Sequence, residues 1–189
     1  MPGFRNFLFT IGGVCILITM YAQAPKKLSS SDIFDRIKKL QVLGSVMYIA
    51  AHPDDENTRL ISYFANESHY HTTYLSMTRG DGGQNLIGPE IAELVGVIRT
   101  QELLMARSID GGNQMFTRAN DFGYSKHPDE TLKIWNHKEV LSDVVWAIRK
   151  QRPDVVINRF DHRTPGGTHG HPWTRGGCSP PRSSSRPWG

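Results

Sequence analysis

Apolar positions along the chain follow two rhythms. Short runs rich in β-branched and aromatic residues, at 45–51, 72–77, 114–118 and 154–158, read as strands. Between them apolar residues return every three or four positions, the spacing of one helix face. Ile33, Phe34, Ile37 and Leu40 form such a stripe after the helix start Ser31-Asp32, and Leu60, Ile61 and Phe64 form another within about 56–66. Longer helices are predicted over 89–109, carrying Ile91, Leu94, Val95, Ile98, Leu103 and Met105, and over 129–150, carrying Leu132 through Ile148. The stripe near residue 33 predicts core packing.

Strands that alternate with helices imply βαβ units, so the expected fold is α/β, a Rossmann-like parallel sheet flanked by helices. Each strand runs into a polar cluster, and these begin at His52, Thr78, Asn120 and Asn158. In an open parallel sheet the ligand crevice lies beyond the strands' carboxyl ends, so clusters remote in sequence converge there. The first cluster, His52-Pro53-Asp54-Asp55-Glu56, joins one imidazole to three carboxylates, ligand types that zinc accepts. Pro53 stiffens the turn and aims the side chains after it. Two adjacent carboxylates cannot both reach one ion from an extended segment, which favours one as ligand and one as base on the bound water. The plain alternative is a capped, solvated helix start, but that would not require three more clusters on the same edge.

The second cluster, Thr78-Arg79-Gly80-Asp81-Gly82-Gly83, suits an oxygen-rich ligand, because glycines free backbone N–H groups to line a concavity. Asp81 and, after the fourth strand, Asn158 are the candidate substrate contacts. His69 and His71 share one face of a strand and are expected to be structural, and His137 is expected at the surface. No glycine fingerprint follows the first strand, which argues against a dinucleotide.

Charge changes the picture little. The net charge of +4 includes seven bases outside 32–161, whereas all 18 acids lie inside it. The body is therefore mildly acidic, and no nucleic-acid partner is expected. Residues 1–24 read as a secretory signal, with Arg5, an apolar run over 7–20 and an Ala22-Gln23-Ala24 cleavage site, followed by a linker over 25–31. The run is short for a membrane span. The expected destination is therefore secreted or periplasmic, with an uncleaved anchor as the alternative because Pro25 disfavours cleavage. Cys15 and Cys178 both fall outside the body, which excludes a disulfide framework and thiolate zinc ligands.

The run Ala51-His52-Pro53-Asp54-Asp55-Glu56, with His169 and His171 in a late histidine-rich segment, resembles the signature of the PIG-L/LmbE-like zinc-dependent N-deacetylases over about residues 46–171. The resemblance implies that Zn2+ is held by His52 and Asp55 and that Asp54 is the general base. His169 would stand beside the developing oxyanion. The implied reaction removes the acetyl group from an N-acetylglucosamine-type glycoconjugate, and Arg99, in an Arg-x-x-Glu pattern with Glu102, would border the sugar. The family's His-x-x-His pattern would place the third zinc ligand at residue 172, where this chain carries Pro172; His171 is the remaining candidate.

Composition breaks at the same point. Residues 172–189 contain no Leu, Ile, Val, Ala, Phe, Asp, Glu or Lys and cannot build an amphipathic element. The expectation is a deacetylase domain over 32–171 that lacks its C-terminal part, and a disordered or out-of-frame tail produced by a frameshift or assembly error after His171, with activity impaired. A non-catalytic sugar-binding domain is one alternative. A magnesium-dependent phosphoryl-transfer enzyme using Asp54 and Asp55 is another, disfavoured because magnesium prefers oxygen ligands and His52 stands among them.

Overall fold

The computed structural model describes residues 27–123 and 128–159, with the backbone alone at 128 and 129. The expected signal segment and the late segment with His169, His171 and Pro172 lie outside the described residues. The chain divides after Lys38 into two compact units.

The first contains α1 (Ser30–Lys39) except its last residue. Its start is fastened reciprocally: the Ser29 N–H donates to Asp32 Oδ2 at 2.9 Å and the Asp32 N–H donates to Ser29 Oγ at 3.1 Å. The apolar stripe was expected in a core and is instead open. Ile33, Phe34 and Ile37 are about half exposed, and no residue of α1 is buried. Among the described residues of its unit, the helix meets no second apolar layer.

The second unit is built on four parallel strands, β1 (Ser45–Ala50), β2 (His71–Ser76), β3 (Asn113–Phe116) and β4 (Val155–Asn158), in the order β3-β2-β1-β4. In register, Ser45 stands opposite His71, Thr73 opposite Asn113 and Val46 opposite Val155. β1 and β2 are buried along nearly their whole length because helices cover both sheet faces. Side chains alternate accordingly. Met47, Ile49, Leu75 and Met77 pack with Trp135, Val140, Val144 and Ala147 on one face. Tyr48, Ala50 and Tyr74 pack with Ile61 and Leu103 on the other. This is the expected α/β architecture.

The helices are α2 (Thr58–Ser62), which runs on as a π-helical turn over Tyr63–Glu67, α3 (Glu93–Asp110), α4 (Pro128–Ile134) and α5 (His137–Gln151). Two expectations are corrected. The helix predicted from 89 starts only at Glu93, because Ala92 takes φ 51° and turns the chain. The single helix predicted over 129–150 is two helices, broken where Asn136 adopts φ 55°; Asn is among the few residues that tolerate this region. The break accompanies a buried Trp135 whose indole N–H donates to the Asn120 carbonyl at 2.7 Å. It thereby ties this corner to the loop after β3. His71 sits at the amino end of β2, with Nε2 3.1 Å from Gln151 Oε1, away from the polar loops, but His69 precedes the strand with φ 59°, so the two do not share a strand face as expected; His137 is exposed, as expected.

Because all four strands are parallel, their carboxyl ends share one edge. The chain adds β2 and β3 on one side of β1 and returns to place β4 on the other. The loop after β1 therefore starts at a topological switch point, where such sheets open a crevice.

Candidate metal centre

β1 ends in the buried Ala50, followed by the buried Ala51, and their carbonyls accept from the N–H groups of Met77 and Thr78, each at 2.9 Å. The next residue, His52, is anchored by its own carbonyl, which accepts from the buried Tyr74 hydroxyl. Pro53 is buried beneath the turn. The chain then folds back, and the Asp55 carboxylate accepts the His52 N–H at 2.9 Å while lying 3.2 Å from His52 Nδ1. Across the ring, His52 Nε2 stands 3.7 Å from Asp121 Oδ1. The imidazole is thus held between two carboxylates.

Asp54 has a different setting. Its side chain is 68% exposed, and Oδ2 lies 3.8 Å from Arg99 Nη2, while Arg99 Nη1 lies 3.8 Å from Glu102 Oε2. The ligand atoms of His52, Asp54 and Asp55 nevertheless fall within 4.8 Å of one another. Of the residues predicted from sequence, these three converge, and Arg99 joins them through Asp54. Asp81 acts at one remove, since its Oδ1 accepts the Asp121 N–H at 3.2 Å and so steadies the loop that faces His52. Asn158 ends β4 opposite Ile49, with its Oδ1 buried and without a hydrogen-bond partner. His169 and His171 lie outside the described residues.

Asp121 was missed. It sits in a polar loop after β3, and nothing in that stretch distinguishes it until the fold brings it beside His52. The glycines after β2 also have a different role from the one expected. A Cβ on Gly82 would stand 2.5 Å from the Asp121 carbonyl oxygen, so the missing side chain makes room for the Asp121 loop rather than for a ligand. A cavity of about 890 Å³ opens beside this contact, bounded by Asp81, Gly82, Gly96, Thr100, Asp121 and Phe122. It shares Asp81 and Asp121 with the surroundings of His52.

The donor set fits a divalent transition metal. One imidazole nitrogen and two carboxylates converge, and a further carboxylate, Asp121, stands 3.7 Å from the far ring nitrogen, on the side where a ligating histidine's supporting partner sits. Mixed nitrogen and oxygen donors suit zinc better than magnesium.

Burial pushes the His52 pKa down, but the hydrogen bond its ring donates to Asp55 and the charges of Asp121, Asp55 and Asp54 outweigh it, and the net shift is upward. In the metal-free chain this coupling stabilises the fold below the unfolded imidazole's pKa of about 6.5 and is lost as pH rises through the higher folded value. Thermal melting of the metal-free chain across that window should show the loss, and His52→Gln should abolish it. An unchanged pH profile in His52→Gln would assign the effect to another group.

The family model described as GlcNAc-PI de-N-acetylase, PIG-L, matches residues 47–173. No curated protein is significantly similar to the chain. Among solved structures, the 4-carboxy-2-hydroxymuconate hydratase from Pseudomonas putida is similar at 19% identity and a TM-score of 0.54, covering 72% of this chain and 54% of its own. The N,N'-diacetylchitobiose deacetylase from Pyrococcus horikoshii is similar at 18% identity and a TM-score of 0.53, covering 80% of this chain and 57% of its own. At these identities the likeness concerns the fold. The chain spans a little over half the length of either protein.

Proposed function

The chain belongs to the PIG-L family, whose model covers residues 47–173, and from that premise we propose that it is a zinc-dependent hydrolase that removes the acetyl group from an N-acetylglucosamine-type glycoconjugate. The convergence of His52, Asp54 and Asp55 at the end of the central strand supports this reading. His52 and Asp55 are the residues to hold the ion, because Asp55 is already fixed on His52 by two contacts. Zinc, when bound, acidifies water and polarises a carbonyl.

The remaining steps belong to this chain's side chains. Asp54, exposed and untied to the backbone loop, accepts a proton from the water that attacks the acetamide carbonyl carbon. As the C–N bond breaks, Asp54 delivers that proton to the departing amine, leaving acetate and a free amino sugar. Arg99, beside Asp54, offers donors to sugar hydroxyls, and Asp81, in the loop after β2, and Asn158, at the end of β4, are the further candidate contacts. By the family pattern, His169 would stabilise the oxyanion and His171 would approach the metal. The leader over 1–24 supports export, to the periplasm or outside the cell. No helix among the described residues is long and apolar enough to cross a membrane.

Pro172, at the position of the expected third ligand, favours a second reading: a sugar-binding domain without a competent metal. Zinc content and acetate release from N-acetylglucosamine conjugates separate the two. Bound zinc with released acetate supports the hydrolase. A folded chain that binds the sugar with neither zinc nor acetate supports the second reading.

A further inference from the structure

Behind the loop 52–56 lies a charged cluster that the hydrolytic steps do not use. Arg107, on α3, is 4% exposed. Its Nε donates to Asp110 Oδ1 at 3.2 Å and its Nη2 to Asp110 Oδ2. The same Nη2 stands 3.6 Å from Glu56 Oε1, on a side chain only 9% exposed. The guanidinium carbon also lies 5.4 Å from the centroid of the Tyr74 ring. Asp110 is held in turn: its Oδ1 accepts the Gly112 N–H at 3.0 Å, and its carbonyl accepts from Asn66 Nδ2 at 2.9 Å.

These contacts matter because of the groups they touch. Glu56 directly follows Asp55, and the Tyr74 hydroxyl holds the His52 carbonyl. Glu56, at the end of the metal loop, and Tyr74, which holds its start, therefore meet at one guanidinium. As a source of stability the cluster is poor: one base is buried with two acids, and Arg107 Nη1 is buried without a hydrogen-bond partner. Apolar residues of similar volume commonly serve stability as well as a buried ionic cluster does.

We infer that Arg107 is a positioning residue of the metal centre, holding His52 and Asp55 in their ligating arrangement through Glu56 and Tyr74 without touching the ion. The inference rests on the metal-centre reading above.

The test is zinc affinity, measured by competition with a chromophoric chelator, beside thermal unfolding of each metal-free chain. Arg107→Met and Glu56→Gln should each weaken zinc binding by about 10–100-fold, the range seen when a group supporting a metal ligand is removed. Tyr74→Phe should weaken it in the same direction. Because Arg107 acts through Glu56, the double variant should lose little more than Arg107→Met alone. Val144→Ala, in the core on the opposite sheet face, should lower the melting temperature without altering affinity. If Arg107→Met fails to fold, Glu56→Gln decides. Parental zinc affinity in folded Glu56→Gln, or an equal loss in Val144→Ala, overturns the positioning role alone. A parent chain that binds no zinc overturns the metal-centre reading and this inference with it.

Discussion

Asp54→Asn should lower acetate release from an N-acetylglucosamine conjugate by about 10²–10⁴-fold, the usual worth of a positioned general base, while leaving zinc affinity nearly unchanged. The two halves of this expectation come from the unequal settings of adjacent carboxylates. Asp55 is turned back onto His52 and contacts both its backbone N–H and its ring. Asp54 points outward, exposed, with Arg99 as its neighbour at 3.8 Å. The carboxylate fixed on the imidazole is the better ligand, and the free one can reach a water. Asparagine keeps the shape of Asp54 and cannot accept the proton. Single-turnover acetate release beside metal analysis checks this. An Asp54→Asn chain that turns over normally removes the base from the mechanism, and one that loses zinc makes Asp54 a ligand instead.

Pro172→His should raise zinc affinity by more than the roughly 10–100-fold that removing a group hydrogen-bonded to a ligand costs, and should bring the chain to about one bound zinc. Catalytic zinc sites rest on about three protein ligands with one open position. In the proposed centre His52 and Asp55 would supply two, and the family pattern places the third at residue 172. Proline has no donor atom to offer there, and His171 would have to serve from a neighbouring position whose side chain leaves the backbone in another direction. Zinc titration of the two chains side by side decides the matter. Equal affinities would mean that His171 already completes the set or that the third ligand lies elsewhere. Activity rising with affinity in the variant would show that Pro172 limits the parent chain.

Much of the centre was legible in the amino-acid order alone. An apolar run ending in His52-Pro53-Asp54-Asp55 marks a buried strand that delivers an imidazole and carboxylates to a sheet edge, and this is a local property of adjacent residues. Arg99 was legible only through the resemblance; its place beside Asp54 depends on how α3 packs. The approach of Asp121 to His52 and the burial of Arg107 against Glu56 were not read from the sequence. Both contacts span tens of residues, and in sequence Asp121 and Arg107 each resemble an ordinary surface charge. The glycines after β2 show the same limit. Their flexibility was evident, but the approach of Asp121 that makes Gly82 necessary was not.

The alternation of short β-rich runs with helical periods determined by itself that this chain forms a parallel α/β sheet, and the order of residues after the first strand determined the candidate ligands. Both follow from periodicity and covalent neighbourhood, which a linear string carries in full. Tertiary structure alone decided that β1 lies between β2 and β4, that Asp121 stands at the far nitrogen of His52, and that Arg107 is buried against Glu56 and Tyr74. It also decided that the stripe of α1 stays exposed and that Asn136 breaks the last helix pair. These features depend on which surfaces meet in the fold, and a hydrophobic period states only that a face seeks burial, without naming its partner.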